Sequence, residues 1–414
     1  MESFDLIIIG GGVIGCAIAR AALLAMPSLS LALIESESDL SMHQSGRNSG
    51  VTHVGYNQKP GTLKAKLVVS GSARLKDYCR KHGVAVVEDG IAIVASCEEQ
   101  TETLHELARR GQANGAVVEV VDKKRLSQLE PNAAGVAALW APQGASFDAR
   151  GYVLSLAREA RELGAQIFLG ETVKELRETT SWIEVETDKR LLRGKALVNA
   201  AGVMADRLAH KLGVGLDYQI IPFKGGYWEL IPERRPLVRA HIYPAPNLAF
   251  PFLGVHLSRT FDGKILVGPG AVLACGRKAY GRFDFDLLDL AEMFGFEGFW
   301  KLFSSKDFCD MARKEWEKTF FASAVLKEAQ SLVPELRRQD IIISRSGIRA
   351  QLVSRQGKMV DDLTIEQTAR TLHILNAVSP ALTCSLPFAD NVVSLITPRL
   401  CQNKTQNQAL LKKS

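Results

Sequence analysis

Short apolar runs alternate with longer apolar or amphipathic segments at the start of the chain. Residues 6–9 and 29–34 are largely aliphatic, and three of the four residues in the first run are β-branched. Such runs are typical of buried parallel strands, and the alanine-rich segment between them, from residue 13 to about residue 26, predicts a helix. The chain therefore begins with a predicted strand–helix–strand unit, the first part of a doubly wound parallel sheet.

The same criteria extend along the chain. Helices are predicted over residues 59–82, 98–113, 122–129 and 151–163, from the residue after 202 to about 212, and over most of 285–329. Strands are predicted over residues 90–95, 117–121, 165–169, 172–176, 182–187, 195–200, 264–267, 341–351 and 371–377. Residues 140–144 predict a turn-rich crossover, residues 218–231 predict two strands joined by a turn at 224–226, and residues 244–260 alternate as in an antiparallel sheet. A final helix, from 381 to about 396, follows Ser379 and Pro380, which suit an N-cap and a first helical position.

The turn after the first strand carries a glycine pattern with a specific chemistry. Gly10 permits the tight turn, Gly12 leaves room for a pyrophosphate beside the backbone, and Gly15 lets the helix pack against the strand. The helix then directs N–H groups and the positive end of its dipole at the phosphates. Glu35 ends the second strand, at the position where an acid binds a ribose hydroxyl. The pattern therefore indicates FAD or NAD rather than NADP, although a strand–helix turn without a ligand could share it.

Length, composition and charge narrow the function. A chain of 414 residues suits two domains, and 46% hydrophobic with 23% charged residues is ordinary for a globular enzyme. A net charge of +6 suits an anionic substrate, but the Lys and Arg residues are scattered, which argues against nucleic-acid binding. Seven cysteines without a CxxC pair argue against a metal site or a disulfide framework. Because neither a signal peptide nor a membrane span is recognisable, we expect a cytoplasmic protein with at most peripheral membrane contact.

A segment rich in small and hydrogen-bonding residues follows the second strand. Residues 43–50, HQSGRNSG, can wrap closely around a cofactor, although a surface loop has a similar composition. With other segments, this one resembles the L-2-hydroxyglutarate dehydrogenases and oxidases, which are FAD-dependent oxidoreductases of the D-amino-acid oxidase type. The other segments are PGTLKAK at 60–66, VNAAG at 198–202, PFKG at 222–225, YPAP at 243–246, FPFLGVH at 250–256, SGIRAQ at 346–351 and NAVSP at 376–380.

The resemblance implies an α/β fold with two domains. A Rossmann-like FAD-binding domain with a parallel sheet would be discontinuous, over residues 1–84, 146–216 and 336–400. An inserted α+β substrate domain with a mixed or antiparallel sheet would cover residues 85–145 and 217–335, and residues 401–414 would form a tail. The implied FAD-binding residues are Gly10, Gly12, Val13, Ile14, Gly15, Glu35, Ser45, Arg47, Asn48, Ser49, Gly50, Val173, Ala201, Gly202, Gly347, Ser379, Pro380 and Ala381.

Oxidation of a 2-hydroxy acid needs a base, a cation and a flavin. Histidine suits the base, arginine suits the carboxylate, and the flavin N5 accepts hydride from Cα. We expect His53 to be the base because it follows the segment at 43–50 directly, with His256 as the second choice. Arg349 is the expected carboxylate clamp, and Lys224 and Tyr243 are expected to assist, at the distal carboxylate of a diacid.

The resemblance thus implies oxidation of L-2-hydroxyglutarate, or a similar 2-hydroxy acid, with quinone or oxygen as the electron acceptor. The basic residues at 404–413 suit contact with anionic lipid, although a solvated tail is the simpler interpretation. Three alternatives stay open: an amine oxidase of the same fold, similar to glycine or sarcosine oxidase; a non-catalytic flavin-binding protein; and an NAD-dependent dehydrogenase.

Overall fold

The structure is a computed structural model that describes residues 1–248 and 254–411. Its strands are β1 (Glu2–Ile9), β2 (Leu31–Glu35), β3 (Val51–Thr52), β4 (Val86–Val87), β5 (Ile91–Ala95), β6 (Glu119–Asp122), β7 (Ala137–Ala141), β8 (Ala145–Phe147), β9 (Gln166–Leu169), β10 (Val173–Glu178), β11 (Ile183–Thr187), β12 (Leu191–Asn199), β13 (Tyr218–Leu230), β14 (His241–Pro244), β15 (His256–Arg259), β16 (Ile265–Gly268), β17 (Val272–Leu273), β18 (Ile341–Ser354), β19 (Thr364–Gln367) and β20 (Thr371–Asn376). Its α-helices are α1 (Val13–Ala25), α2 (Leu63–Lys81), α3 (Thr101–Ala113), α4 (Lys123–Leu129), α5 (Ala149–Glu162), α6 (Ala205–His210), α7 (Leu287–Gly295), α8 (Glu297–Phe303), α9 (Lys306–Phe320), α10 (Ala322–Leu332) and α11 (Ala381–Leu411).

The first sheet contains the glycine turn. Its parallel core has the strand order β9–β2–β1–β12–β20, and β10, β11 and β19 extend it in antiparallel pairs. Helix α1 is apolar around most of its circumference because it packs between this sheet and the helices α5 and α11. The predicted strand–helix–strand unit and the α/β fold class are therefore confirmed.

The second sheet is mixed. Its strand order is β17–β13–β16–β15–β14–β5–β7–β6, and β18 pairs with β13. The β14–β5 pair is parallel and the other pairs are antiparallel. One face packs against α10, and the other packs against α3 and the segment around β3. A small third sheet, β3–β8–β4, connects this segment to the start of α5.

Residues 218–230 form one continuous strand, so the predicted turn at 224–226 is wrong. β13 pairs with β18 from Tyr218 to Leu230, and this long ladder carries the chain straight through the two glycines. The only local consequence of the glycines in this ladder is a register irregularity between Gly226 and Trp228.

Two other predictions are also corrected. Trp140 and Ala141 belong to β7 and pair with β5, because the crossover begins only after them. The last helix does not end near residue 396, since α11 continues through Pro398 to Leu411. Residues 401–411 of the segment predicted to be a tail include Gln, Lys, Leu and Ala, which are good helix formers, and they extend the helix.

The proposed domain boundaries stay predictions. β18 lies within the segment 336–400, which is expected in the FAD-binding domain, yet its hydrogen bonds join it to the second sheet. Within the described residues, we find no helix with both the length and the apolar character required to cross a lipid bilayer.

Candidate active site

A cavity of about 660 Å³ lies where the two sheets meet. The carboxyl ends of β1, β2, β12 and β20 form one part of its wall, and β13, β14, β15 and β18 form another. Ligands of open parallel sheets bind beyond the carboxyl ends of the strands, and a cavity of this size holds a large organic ligand. The lining includes these residues from the predicted cofactor set: Gly10, Gly12, Val13, Ile14, Glu35, Ser45, Arg47, Asn48, Ser49, Val173, Ala201, Gly202, Gly347, Ser379, Pro380 and Ala381.

The glycine turn has the geometry that its sequence predicts. Gly10 has φ +111°, and a Cβ there would overlap the Ala200 carbonyl oxygen, while a Cβ at Gly15 would overlap the carbonyl oxygen of Gly10. Gly12 differs, because its φ is −82° and an added Cβ would meet only the Ser45 Oγ, at 3.0 Å. Gly10 and Gly15 are therefore required by the fold, whereas Gly12 keeps the cavity side of the backbone open.

The start of α1 fits the pyrophosphate and adenosine parts of FAD. No acidic residue lies in the first turn of this helix, and its positive dipole end is directed at the cavity. Ser41 and Gln44 also line the cavity, and their Oγ and Nε2 atoms are buried without a hydrogen-bond partner among the described residues. Glu35, at the end of β2, accepts a 2.6 Å hydrogen bond from the Gly11 N–H and is placed for a ribose hydroxyl. These unpaired donors and this acid match the polar groups of FAD.

The segment at 43–50 forms a compact loop against the cavity. The Asn48 side-chain amide donates to the carbonyl oxygens of Gln44 and Ser45, at 2.9 and 2.7 Å. The Arg47 guanidinium lies over the Tyr280 ring, 4.2 Å from its centroid. The loop is thus held by hydrogen bonds within it and by Tyr280, which lies between β17 and α7.

His53 lies at the cavity wall beside the end of this loop. Its Nε2 is 3.2 Å from the Ser379 Oγ, and its backbone N–H donates to the Thr383 Oγ1, also at 3.2 Å. Burial, and then the nearby Arg349 guanidinium, lower the pKa of the His53 imidazole to about 4. The ring is therefore neutral at pH 7 and able to accept a proton.

His256 reaches the same cavity from β15. Its Nδ1 is 2.9 Å from the Gly254 carbonyl oxygen, so this nitrogen carries the proton and Nε2 is the acceptor. The ring packs edge-on against Tyr243, with centroids 4.3 Å apart. Burial lowers the pKa of His256 to about 4. Both histidines are thus neutral at pH 7, and the geometry supports either one as a base.

Arg349 supplies positive charge to the cavity from β18. It pairs across the sheet with Phe223 of β13, and both side chains line the cavity. Tyr227, two positions beyond Gly225 on the same face of β13, also lines the cavity, next to Ser49 and Arg349. Burial raises the pKa of Tyr227, so its hydroxyl stays protonated as a hydrogen-bond donor. Arg349 and Tyr227 together can hold a carboxylate.

Three of the predicted residues lie outside the cavity lining. Lys224 is on the opposite face of β13 from Phe223 and Gly225, and its Nζ donates to the Gly281 carbonyl oxygen at 2.7 Å. Gly50, with φ +70°, packs on the Phe147 carbonyl and helps to shape the loop instead of lining the cavity. Gly15 lies inside the helix–strand contact described above. The expectation that Lys224 faces the substrate is therefore corrected by the alternation of the strand.

Sequence reasoning missed Tyr227, Thr383 and Ser41, and it included Gln44 only as part of the segment at 43–50. Tyr227 could have been found once residues 218–230 were taken as one strand, because positions 223, 225 and 227 then share a face. No local signal marks Thr383 or Ser41. Residues 250–253 of the FPFLGVH segment lie outside the described residues.

Comparisons with known proteins agree with this geometry. A family model described as FAD dependent oxidoreductase, DAO, matches residues 5–395. The protein named L-2-hydroxyglutarate dehydrogenase, mitochondrial, of Caenorhabditis briggsae is 37% identical over 407 residues, which cover 95% of this chain and 93% of that protein. The protein of the same name from Homo sapiens is 36% identical over 416 residues, covering 96% and 89%. The structure of dithionite-reduced L-α-glycerophosphate oxidase from Mycoplasma pneumoniae, with FAD bound, superposes with a TM-score of 0.77 at 25% identity, covering 96% of this chain and 95% of that one.

Proposed function

Since the chain belongs to the L-2-hydroxyglutarate dehydrogenases, within the DAO family of FAD-dependent oxidoreductases, we propose that it oxidises L-2-hydroxyglutarate, or a similar 2-hydroxy acid, to the 2-oxo acid. The observation that carries this proposal is that His53, His256 and Arg349 line the cavity that also contains the glycine turn, and that His53 and His256 are neutral at pH 7. The oxidation needs a base for the hydroxyl proton, which a histidine can provide. It also needs a cation for the carboxylate, which Arg349 can provide.

The substrate carboxylate would bind to Arg349, with the Tyr227 hydroxyl as a second donor. A planar guanidinium can bind a carboxylate through two parallel hydrogen bonds, which fixes the orientation of Cα as well as its position. Phe223, opposite Arg349 on β13, supplies an apolar surface beside the carbon chain. Tyr243, which lines the cavity, is placed to contact the remainder of the substrate.

His53 would accept the hydroxyl proton. The Ser379 hydroxyl orients its ring, and the Thr383 side chain fixes its backbone. Because its pKa is about 4, the His53 ring is unprotonated throughout the neutral pH range, which is the form that a base requires. FAD, when bound, supplies the two-electron acceptor for the hydrogen on Cα. His256 is the second candidate for the base, and its Nε2 is the available acceptor.

The direct test is reduction of the bound flavin by substrate without oxygen. The purified protein should be yellow, and L-2-hydroxyglutarate should bleach the flavin absorbance under anaerobic conditions. The D-enantiomer, glycine and sarcosine serve as controls, because an amine oxidase of this fold would respond to the last two instead. A colourless protein that oxidises the acid only with soluble NAD would contradict the proposal, as would a yellow one that no 2-hydroxy acid reduces.

The electron acceptor and the location in the cell are further proposals. We propose quinone or oxygen as the acceptor, and these can be separated by following reoxidation of the reduced flavin with a soluble quinone or with air. A cytoplasmic location with peripheral membrane contact stays a prediction. Sedimentation with vesicles of anionic lipid, compared with neutral vesicles, would test the contact.

A further inference from the structure

Buried polar side chains lie behind the cavity wall on β14 and β15. His241 is completely buried, and neither of its ring nitrogens has a hydrogen-bond partner among the residues that the structure describes. Ser258 is also completely buried, and within the same residues its Oγ has no partner. The two face each other across the antiparallel pair, because Ile242 is in register with Leu257.

An unpaired buried imidazole destabilises the fold. A neutral ring has one N–H donor and one acceptor, and burying either without a partner costs about 1–3 kcal/mol. The neighbouring hydroxyls show what could pair with it. Ser258 is close enough to Tyr243 to lower the pKa of the Tyr243 hydroxyl, yet Ser258 Oγ has no hydrogen-bond partner of adequate geometry among the described residues. Neighbouring polar groups that do not pair directly are commonly bridged by water.

We propose that a buried water links His241, Ser258 and Tyr243, and that His241 thereby positions Tyr243 and His256 at the cavity wall. A buried water makes about three hydrogen bonds, which these three polar side chains supply. His241 and Tyr243 share one face of β14, and Ser258 and His256 share the same face of β15. The water would hold the Tyr243 hydroxyl, and the Tyr243 ring is the surface against which His256 packs.

His241 is therefore a positioning residue, not one that contacts substrate. It is absent from the residues that line the cavity, whereas Tyr243 and His256 line it. The proposal of a water site depends only on the unpaired polar atoms of His241 and Ser258. The kinetic consequence rests on the proposed function, since it is measured on the oxidation of a 2-hydroxy acid.

The first experiment compares three variants. His241→Phe removes both ring nitrogens at similar volume, and His241→Gln keeps a donor and an acceptor. His373→Phe is the matched control, because His373 is equally buried but its nitrogens are paired with Asn199 and Thr371, at 3.1 and 2.7 Å, away from the cavity lining. We expect His241→Phe to retain FAD and to lower kcat roughly 10- to 100-fold with a smaller change in KM, because a small displacement at the wall misaligns the substrate. His241→Gln should recover most of this loss, and His373→Phe should lower the thermal midpoint while keeping kcat.

The second experiment does not depend on turnover. A crystal structure of the FAD-bound protein, at a resolution that shows ordered water, should contain one water within hydrogen-bond distance of His241, Ser258 and Tyr243. Direct pairing of His241 with a protein group, or a dry contact at that position, would overturn the proposal, and so would wild-type kcat in His241→Phe or no recovery in His241→Gln. If no 2-hydroxy acid reduces the flavin, the proposed function fails, but the water site is still decided by this structure.

Discussion

Gly12→Ala should separate cofactor binding from folding. Gly12 has φ −82° and ψ −176°, values that any residue adopts. Its added methyl would meet only the Ser45 Oγ, at 3.0 Å. This hydroxyl accepts a 2.9 Å hydrogen bond from the Val13 N–H, and a shift of a few tenths of an ångström makes room for the methyl and keeps that bond. The methyl would nevertheless stand at the cavity side of the first turn of α1, where a pyrophosphate must approach the backbone.

The two effects should differ in size. We expect the free energy of unfolding of the apoprotein to fall by no more than about 1 kcal/mol, which is typical of a change to Ala at an N-cap. Loss of one charge-assisted hydrogen bond from the backbone to a phosphate costs about 1.5–3 kcal/mol. The Kd for FAD should therefore rise roughly 10- to 100-fold.

Urea denaturation of the apoprotein and a titration with FAD followed by flavin fluorescence measure the two quantities. Gly10→Ala provides the contrast, because φ +111° and the overlap with the Ala200 carbonyl should prevent stable folding altogether. Gly295→Ala is the neutral control, since nothing lies within 4 Å of the added Cβ. Unchanged FAD affinity in Gly12→Ala would refute the assignment of this turn to the pyrophosphate, and a collapse of its stability would refute the claim that the fold tolerates the methyl.

Other predictions concern the catalytic groups and pH. His53→Ala should lower kcat by roughly 10²- to 10⁴-fold with the flavin spectrum retained, as expected for loss of a base; stopped-flow reduction measures this, and His256→Ala run in parallel decides between the two histidines. Arg349→Met should raise the KM for L-2-hydroxyglutarate at least about tenfold, because a charge-assisted contact is lost, whereas Lys224→Met, whose side chain lies outside the cavity, should change steady-state KM little. The free energy of unfolding of the apoprotein should fall as the pH is lowered from about 6.5 towards 4. Burial lowers the pKa of His53 and of His373 to about 4 in the folded protein, whereas these side chains bind protons near pH 6.5 in the unfolded chain. Equal urea midpoints at pH 7 and pH 5 would contradict this prediction.

Elements with a local signal could be predicted from the sequence. The requirements at Gly10 and Gly15 come from backbone atoms of the same strand–turn–helix unit and of the adjoining strand end, so the glycine pattern alone identifies them. The turn at 224–226 was wrong for the opposite reason. Two adjacent glycines satisfy local turn chemistry, but β18, far later in the chain, pairs with β13 along its length and keeps it extended. No nearby residue carries that information.

In the candidate site, too, some residues could be predicted from the sequence and others could not. His53 and Arg349 could be expected because few side chains can serve as a base near neutrality or as a two-point carboxylate clamp. Whether neighbouring residues of β13 line the cavity depends on which face of the strand they occupy. That face can be assigned only when residues 218–230 are taken as one continuous strand. Tyr227 and Lys224 are only three positions apart on β13, yet Tyr227 lines the cavity while Lys224 bonds to the Gly281 carbonyl. Because side chains of a strand alternate between its two faces, a shift of one residue along β13 exchanges a cavity-lining position for a structural one.

Gly347 allows the strand of Arg349 to lie directly against the loop that contains Arg47, and the facing Gly225 allows an equally close approach of Gly270 to β13. Gly347 of β18 pairs with Gly225 of β13, two residues before Arg349. A Cβ at Gly347 would overlap the Arg47 carbonyl oxygen, and one at Gly225 would lie 2.8 Å from the Gly270 carbonyl oxygen. Because neither glycine has a side chain, the backbone on each side rests directly on the sheet. The proposed carboxylate clamp and the proposed cofactor loop are therefore spaced by main-chain contacts, which vary less than side-chain contacts, and a fixed spacing is what holds Cα of a bound acid at a set distance from the cofactor.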